Sequence, residues 1–202
     1  MMGNIIKTVA KNASFLVFGN IANKLLAFFT MVFFARYLGD QGFGKFSSAQ
    51  SLAQLLIVFA DLGLGFFVIR EVARRREAAG KIIGMASIAR LVSLIIIFLS
   101  AVLFINLFVH DREARFLSFS FITYFSFVSF YSLFASVFMG FEKMEFNVVL
   151  SFLEKAGILA AGIFILTNRG GITSVGFVYI ICGLILFIVS FLIMRFGFSV
   201  KP

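Results

Sequence analysis

Charged residues are scarce in this sequence. Asp, Glu, Lys and Arg make up 13% of its 202 residues against 61% hydrophobic, and the mean hydropathy is +1.08. A soluble domain carries about 45 to 50% apolar residues. Too little polar surface is present here to cover a water-soluble core, and that class is excluded. Cysteine is nearly absent: Cys182 alone has no partner for an internal disulfide, and no zinc site is expected. The single histidine, His110, stands beside Asp111 and Glu113 in a short charged stretch. Such a stretch is ordinarily a solvated turn rather than a metal-binding or catalytic trio. The sequence offers no Ser/His/Asp arrangement, no glycine loop of the phosphate-cradling kind and no pair of catalytic carboxylates. The expectation is a protein that is not an enzyme and holds no metal or cofactor.

What is abundant is apolar sequence in long runs. A bilayer core of about 30 Å takes about 20 apolar residues per helix, and six such spans fit: Ala13 to Ala35, Phe46 to Ile69, Ile82 to Val109, Phe116 to Gly140, Glu145 to Thr167 and Thr173 to Met194. The spans are too long and too evenly apolar for tilted barrel strands. The fold class is therefore all-α, a polytopic six-helix membrane bundle forming one transmembrane domain over residues 1–202. The run after Lys7 and Lys11 is longer than a signal-peptide core, is interrupted by polar residues and lacks an Ala-x-Ala cleavage pattern, so it reads as a retained first helix with residues 1–12 on the membrane surface.

Acidic residues are half as numerous as basic ones, 9 against 18. A nucleic-acid footprint is one reading of such a surplus, but the distribution opposes it. Lys7, Lys11, Arg70, Arg74, Arg75, Arg76, Lys81, Lys143, Arg195 and Lys201 fall on one side of the spans; Arg36, Lys45, Arg112, Arg115 and Arg169 fall on the other. By the positive-inside rule both termini are cytoplasmic, in a multi-pass protein of the cytoplasmic membrane. The basic balance then serves topology and contact with anionic membrane lipids, with no nucleic-acid partner.

Polar residues inside the spans are few and grouped. The first span carries Asn20, Asn23 and Lys24, the second Ser47, Gln50, Gln54 and Asp61, the third Ser87 and Arg90, and the fifth Asn147, Ser151, Glu154 and Lys155. Spacings of three, four and seven put each set on one helical face. A central charge facing lipid costs roughly 2.5 to 3.5 kcal/mol, so these faces should look at something else. The fourth span has hydroxyls in place of charge, from Ser118 to Ser136, which serve either helix packing or a polar wall. Counted from the expected span ends, Lys24, Asp61, Arg90 and Lys155 all lie about 12 to 15 Å deep. One shared level implies a salt-bridge network or a wet cavity. Cations outnumber Asp61 and Glu154 there, and an uncompensated cation attracts an anion such as phosphate or pyrophosphate. The bland alternatives are that Arg90 snorkels, that Lys155 and Glu154 serve a chain interface, and that Asp61 holds a cation in place.

The segment Phe15 to Glu71 resembles the opening of Wzx-type polysaccharide-biosynthesis flippases, in the multidrug/oligosaccharidyl-lipid/polysaccharide exporter superfamily. The features that carry the likeness are Lys24 midway along the first helix, the Ala35-Arg36-Tyr37-Leu38-Gly39 turn with Gly42 and Gly44, the Asp61-Leu62-Gly63 element and the Arg70-Glu71 exit. Arg90 and Lys155 also fall where such proteins often carry basic residues. The resemblance implies transfer of a polyprenyl-pyrophosphate-linked oligosaccharide from the inner to the outer leaflet by alternating access. It also implies two six-helix lobes around one cavity, of which this sequence supplies the first, the second wall coming from a missing half or another chain. Two other readings stand beside it. A MATE-like antiporter half for cationic molecules would want surplus carboxylates, whereas the surplus here is positive. In a non-transporting membrane subunit the charges would only specify packing.

Overall fold

A computed structural model describes the backbone of residues 2–61, 63–168 and 170–197 and the side chains of residues 16–61, 63–168 and 170–196. The expectations at Lys7, Lys11, Leu62, Arg169, Lys201 and Pro202 lie outside the described residues. Within them the chain is helical almost throughout, as lipid requires of a backbone that must satisfy its own polar groups. The elements are α1 (Met2–Asp61), α2 (Leu64–Arg74), α3 (Ala79–Phe108), α4 (Arg112–Gly140), α5 (Met144–Thr167) and α6 (Ile172–Leu192). A 3-10 turn (Arg76–Ala78) precedes α3, and a π-helical turn (Ile193–Gly197) follows α6. Five helices are long and apolar enough to cross a membrane, and the apolar length of the first, Leu16–Asp61, is 46 residues. At about 1.5 Å per residue that is two crossings, so the fold is an all-α polytopic membrane bundle.

The two crossings of α1 meet at Gly39, whose φ of 65° and ψ of −179° are the one non-helical pair in the helix. The chain reverses there. Phe34 and Phe46 would stand about 18 Å apart on a straight helix, yet their ring centroids are 5.4 Å apart and edge to face. The broad turn expected over Gly39 to Gly44 is thus a single residue, with helix resuming at Asp40. That backbone region is open essentially to glycine alone and costs other residues about 1 to 3 kcal/mol. Nothing lies within 4 Å of a Cβ built on Gly39, so the whole cost is conformational. Gly39→Ala should lower stability by about 1 to 2 kcal/mol in detergent melts, with Gly39→Asn equally costly. A neutral Gly39→Ala would contradict the kink.

The second expected span, Phe46 to Ile69, is also broken. It stops at Asp61, and Gly63, left-handed at φ 77°, starts α2 on a new axis. The charged run starts inside that helix, which carries Arg70, Glu71 and Arg74 before the chain turns at Arg75.

The axis of the bundle is α4. Its most apolar stretch is 61% buried, against 11 to 33% for the other four spans. Two packed regions flank it, one at the Gly39 end around Phe34, Phe46, Phe121 and Tyr179, the other at the Arg76 end around Val72, Ile83, Leu133 and Phe138. Buried in this way, α4 tolerates hydroxyls because most bond back to its own carbonyls: Ser118 to Ala114, Ser120 to Phe116, Thr123 to Phe119, Ser126 to Ile122 and Ser136 to Ser132. The outer face of α3, with Ile88, Leu91, Ile95 and Leu99, is exposed and apolar, as a lipid-facing surface must be.

Beyond the spans at the Gly39 end, Lys45 Nζ donates at 2.8 Å to both Asp111 and Glu113. Asp111 also caps α4, its Oδ1 accepting from the Ala114 N–H at 2.8 Å. The Asp111 and Glu113 hydrogen bonds hold the Lys45 ammonium above its usual range, and the bonds from Lys45 and the Ala114 N–H hold Asp111 below the usual carboxylate range. The Lys45 contribution is complete below the ordinary lysine range and fades as pH rises through its raised value. The Asp111 contribution is complete above the ordinary aspartate range and fades as pH falls through its lowered value. The clamp is therefore constant through neutral pH. Lys45→Met should lower the melting temperature slightly at low salt and not at high salt, because the pair is exposed; a large salt-independent loss would show that the contact is packing instead.

Candidate functional site: a polar trench along α1, α4 and α5

The polar residues of the spans collect on one side of α4. The first cavity there, about 280 Å³, is lined by Thr30 and Gln50 and Gln54 of the two arms of α1, Tyr124 of α4 and Lys155 of α5. A second, about 340 Å³, is lined by Asp61, Tyr131, Ser132, Ser136 and Asn147. Gln54 and Asp61, Tyr124 and Tyr131, and Lys155 and Asn147 are each about two turns apart on their helices. The two cavities therefore follow one another along the same three elements.

Arg90 is 1% exposed, and its guanidinium donates from Nη2 to Asp61 Oδ1 at 2.5 Å and from Nη1 to Ser129 Oγ at 2.7 Å. Its Nε has no hydrogen-bond partner. Placed on the inner face of α3, Arg90 brings its charge to the C-terminal end of α1, where the last carbonyls are unpaired and negative. Asp61 remains half-exposed on the second cavity. Lys155 is half-buried on the first cavity, with no carboxylate within 4.0 Å among the described residues. Its neighbour Glu154 turns the other way: it accepts a short hydrogen bond from the Tyr124 hydroxyl and borders an apolar crevice with Cys182 between α5 and α6.

Asn23 is buried and donates to Ser151 Oγ at 2.9 Å, leaving its own Oδ1 unpartnered. Lys24 and Asn20 are exposed and make no hydrogen bond or ion pair among the described residues. The structure thus joins Arg90 to Asp61, sets Gln50, Gln54 and Lys155 around one cavity, and leaves Lys24 exposed about one helical turn from the cavity-lining Ala27.

The single charged level is corrected to two. Arg90 meets Ser129, five residues along α4 from the Tyr124 that lines the Lys155 cavity, which is about 7 Å. Depth was counted along straight spans, whereas the second span breaks after Asp61 and helix resumes at Leu64. Of the three mid-span cations Lys24, Arg90 and Lys155, Arg90 alone has a carboxylate partner among the described residues.

Tyr124, Ser129 and Tyr131 are the partners that the charge pattern alone did not single out. Tyr131 donates to both the carbonyl oxygen and Oδ1 of Asn147. Tyr124 and Tyr131, seven residues apart, share the side of α4 that lines the two cavities, whereas Ser129 meets α3 through Arg90; most other hydroxyls of that helix bond to their own backbone. No group of three or more His, Cys, Asp or Glu that could hold a metal occurs among the described residues.

Such an arrangement, with apolar helices outside and amides, hydroxyls and an unpaired cation along an inner trench, is that of a multi-pass membrane protein of the transporter kind. The sequence pattern of the polysaccharide biosynthesis protein family matches residues 9–202, and the chain belongs to that family. Its members are transporters rather than enzymes, so the chain has a flippase- or transporter-like role. No curated protein and no solved structure matches it significantly.

Proposed function

We propose that the chain is one six-helix lobe of a flippase that carries a polyprenyl-pyrophosphate-linked glycan across the cytoplasmic membrane by alternating access. The observation that supports this most directly is Lys155, a half-buried cation set among Gln50, Gln54 and Tyr124 with no carboxylate within 4.0 Å among the described residues. A cation in a low-dielectric wall attracts a compact anion, and the amides beside it offer donors and acceptors to sugar hydroxyls. The polyprenyl tail stays in lipid while the head enters the trench. Lys24, exposed at the margin, adds charge along the path of entry. Arg90 belongs to the scaffold, since its charge is already matched by Asp61.

A trench open on one side needs a facing wall, which a second lobe supplies, and alternating access is the rocking of one lobe against the other. With the Arg70–Lys81 end cytoplasmic, as the basic residues there favour, the trench runs from the inner leaflet outward. The test is transfer of labelled lipid-linked oligosaccharide in vesicles containing the two-lobed protein. Lys24→Ala combined with Lys155→Ala should reduce transfer at least about tenfold at equal protein level. Transfer at the wild-type rate would refute the proposal.

A further inference from the structure

Beside the trench stands a second ionisable group that the binding of an anion does not use. Glu154 sits halfway along α5, and among the described residues the one hydrogen bond it receives is from the Tyr124 hydroxyl. An ionised carboxylate has about four acceptor sites, so this one is under-satisfied for a charge inside a membrane. The groups facing it are tyrosines and a thiol: Tyr124 and Tyr131 from α4, and Tyr179 and Cys182 from α6. Across Tyr124, the cavity that holds Lys155 takes the polar side chains of Thr30, Gln50 and Gln54 from α1. Lys155, next to it in sequence, is its nearest cation but lies beyond ion-pair distance.

A hard metal cation takes about six or more oxygen ligands, and this surround offers one carboxylate and a hydroxyl that points its hydrogen inward. A proton needs no such shell. Glu154 stands one hydrogen bond from the trench, because Tyr124, its donor, lines the cavity that holds Lys155.

We propose that Glu154 is a proton-binding site whose occupancy sets the affinity of the trench for its anionic ligand. When ionised, Glu154 offsets the field of Lys155. When a proton from the cavity converts it to the neutral acid, the Lys155 charge stands alone and the trench draws an anion more strongly. By linkage, anion binding then takes up a proton, and the two events reinforce each other. Protonation also changes Tyr124, which must turn a lone pair to the new O–H or lose the bond. Its ring is packed edge-on to Phe125 at 4.9 Å and Tyr179 at 5.1 Å, so a local proton is felt by α4 and α6. Intramembrane carboxylates that exchange protons are the usual coupling elements of transporters. The linkage to an anion rests on the flippase reading; the proton site itself does not.

Two measurements on the full chain in lipid nanodiscs separate these. In infrared difference spectra between acid and alkaline pH, without ligand, the wild type should show a carboxylic C=O band that Glu154→Gln lacks and that Tyr124→Phe shifts in frequency. Identical spectra for wild type and Glu154→Gln would overturn the proposal. Binding of inorganic pyrophosphate should tighten about tenfold more in the wild type than in Glu154→Gln as pH falls. The probe's own protonation affects both proteins equally. Equal pH dependence in the two overturns the linkage, whereas a titrating Glu154 band with no pyrophosphate binding in either supports the proton site and rejects the trench as a pyrophosphate site.

Discussion

Asp61→Asn is expected to be among the most damaging single changes in the chain, lowering stability by about 3 to 5 kcal/mol. The reason is asymmetry of burial. Arg90 is 1% exposed and its partner's side chain 44%, so removing the carboxylate strands a guanidinium with no route to water. Breaking a buried pair by deleting one member costs about 3 to 5 kcal/mol, mostly from the charge left behind. Arg90→Met leaves the opposite remainder. Asp61 then faces the second cavity, where water reaches it, and methionine fills most of the apolar stem's space. That variant should cost less, about 1 to 2 kcal/mol. The double variant Asp61→Asn with Arg90→Met should recover to near the Arg90→Met value, because no unpaired charge remains. Thermal unfolding in one detergent at fixed pH checks the order. If Arg90→Met proves the worse of the two, the pair is held by packing of the arginine and the charge argument fails. Ser129→Ala, which removes a neutral acceptor, should cost only about 1 kcal/mol.

The same pair shows what sequence can and cannot reveal. That Asp61 and Arg90 sit inside spans is plain from hydropathy, and so is the need for each to face something other than lipid. Which cation takes the carboxylate is not, because it depends on where α1 stops. Gly39 and Gly63 decide this, one by folding α1 back on itself and the other by starting α2 on a new axis. Both glycines are visible in the sequence, but a glycine in an apolar helix signals close packing as readily as a break. Depth counted from span ends therefore merged two levels into one.

Hydroxyls present the opposite case. A helix with serine every few residues suggests a polar wall, yet five of the α4 hydroxyls bond to their own carbonyls and only Tyr124, Ser129 and Tyr131 reach other helices through their side chains. Composition could not separate these, and neither does the side of α4 alone: Ser136 lines the second cavity with Tyr131 yet bonds its own backbone. The family pattern, by contrast, was legible from Lys24, the Gly39 turn and the Arg70-Glu71 exit, because it depends on local sequence rather than on packing.

Lys155→Glu should abolish transfer of a lipid-linked pyrophosphate head altogether, a larger effect than truncation to alanine. At about 4 Å and an effective dielectric constant near 20, a unit charge pair is worth about 4 kcal/mol. Alanine forfeits the favourable part and leaves water to solvate the anion, so its loss is held to about 1.5 to 3 kcal/mol, or 10- to 150-fold. Glutamate adds repulsion of similar size and is next in sequence to a second carboxylate, Glu154, on the neighbouring side of α5. Lys155→Arg keeps the charge on a side chain of similar reach and should retain much of the activity, the remaining loss reflecting the different shape of its donors. Raising salt should narrow the gap between wild type and Lys155→Ala only modestly, because a half-buried charge is weakly screened. The measurement is initial transfer rate in vesicles of the two-lobed protein, normalised to inserted protein. A Lys155→Glu variant that moves substrate as fast as the wild type would mean that the head group never passes α5, and the trench between α1, α4 and α5 would not be its path.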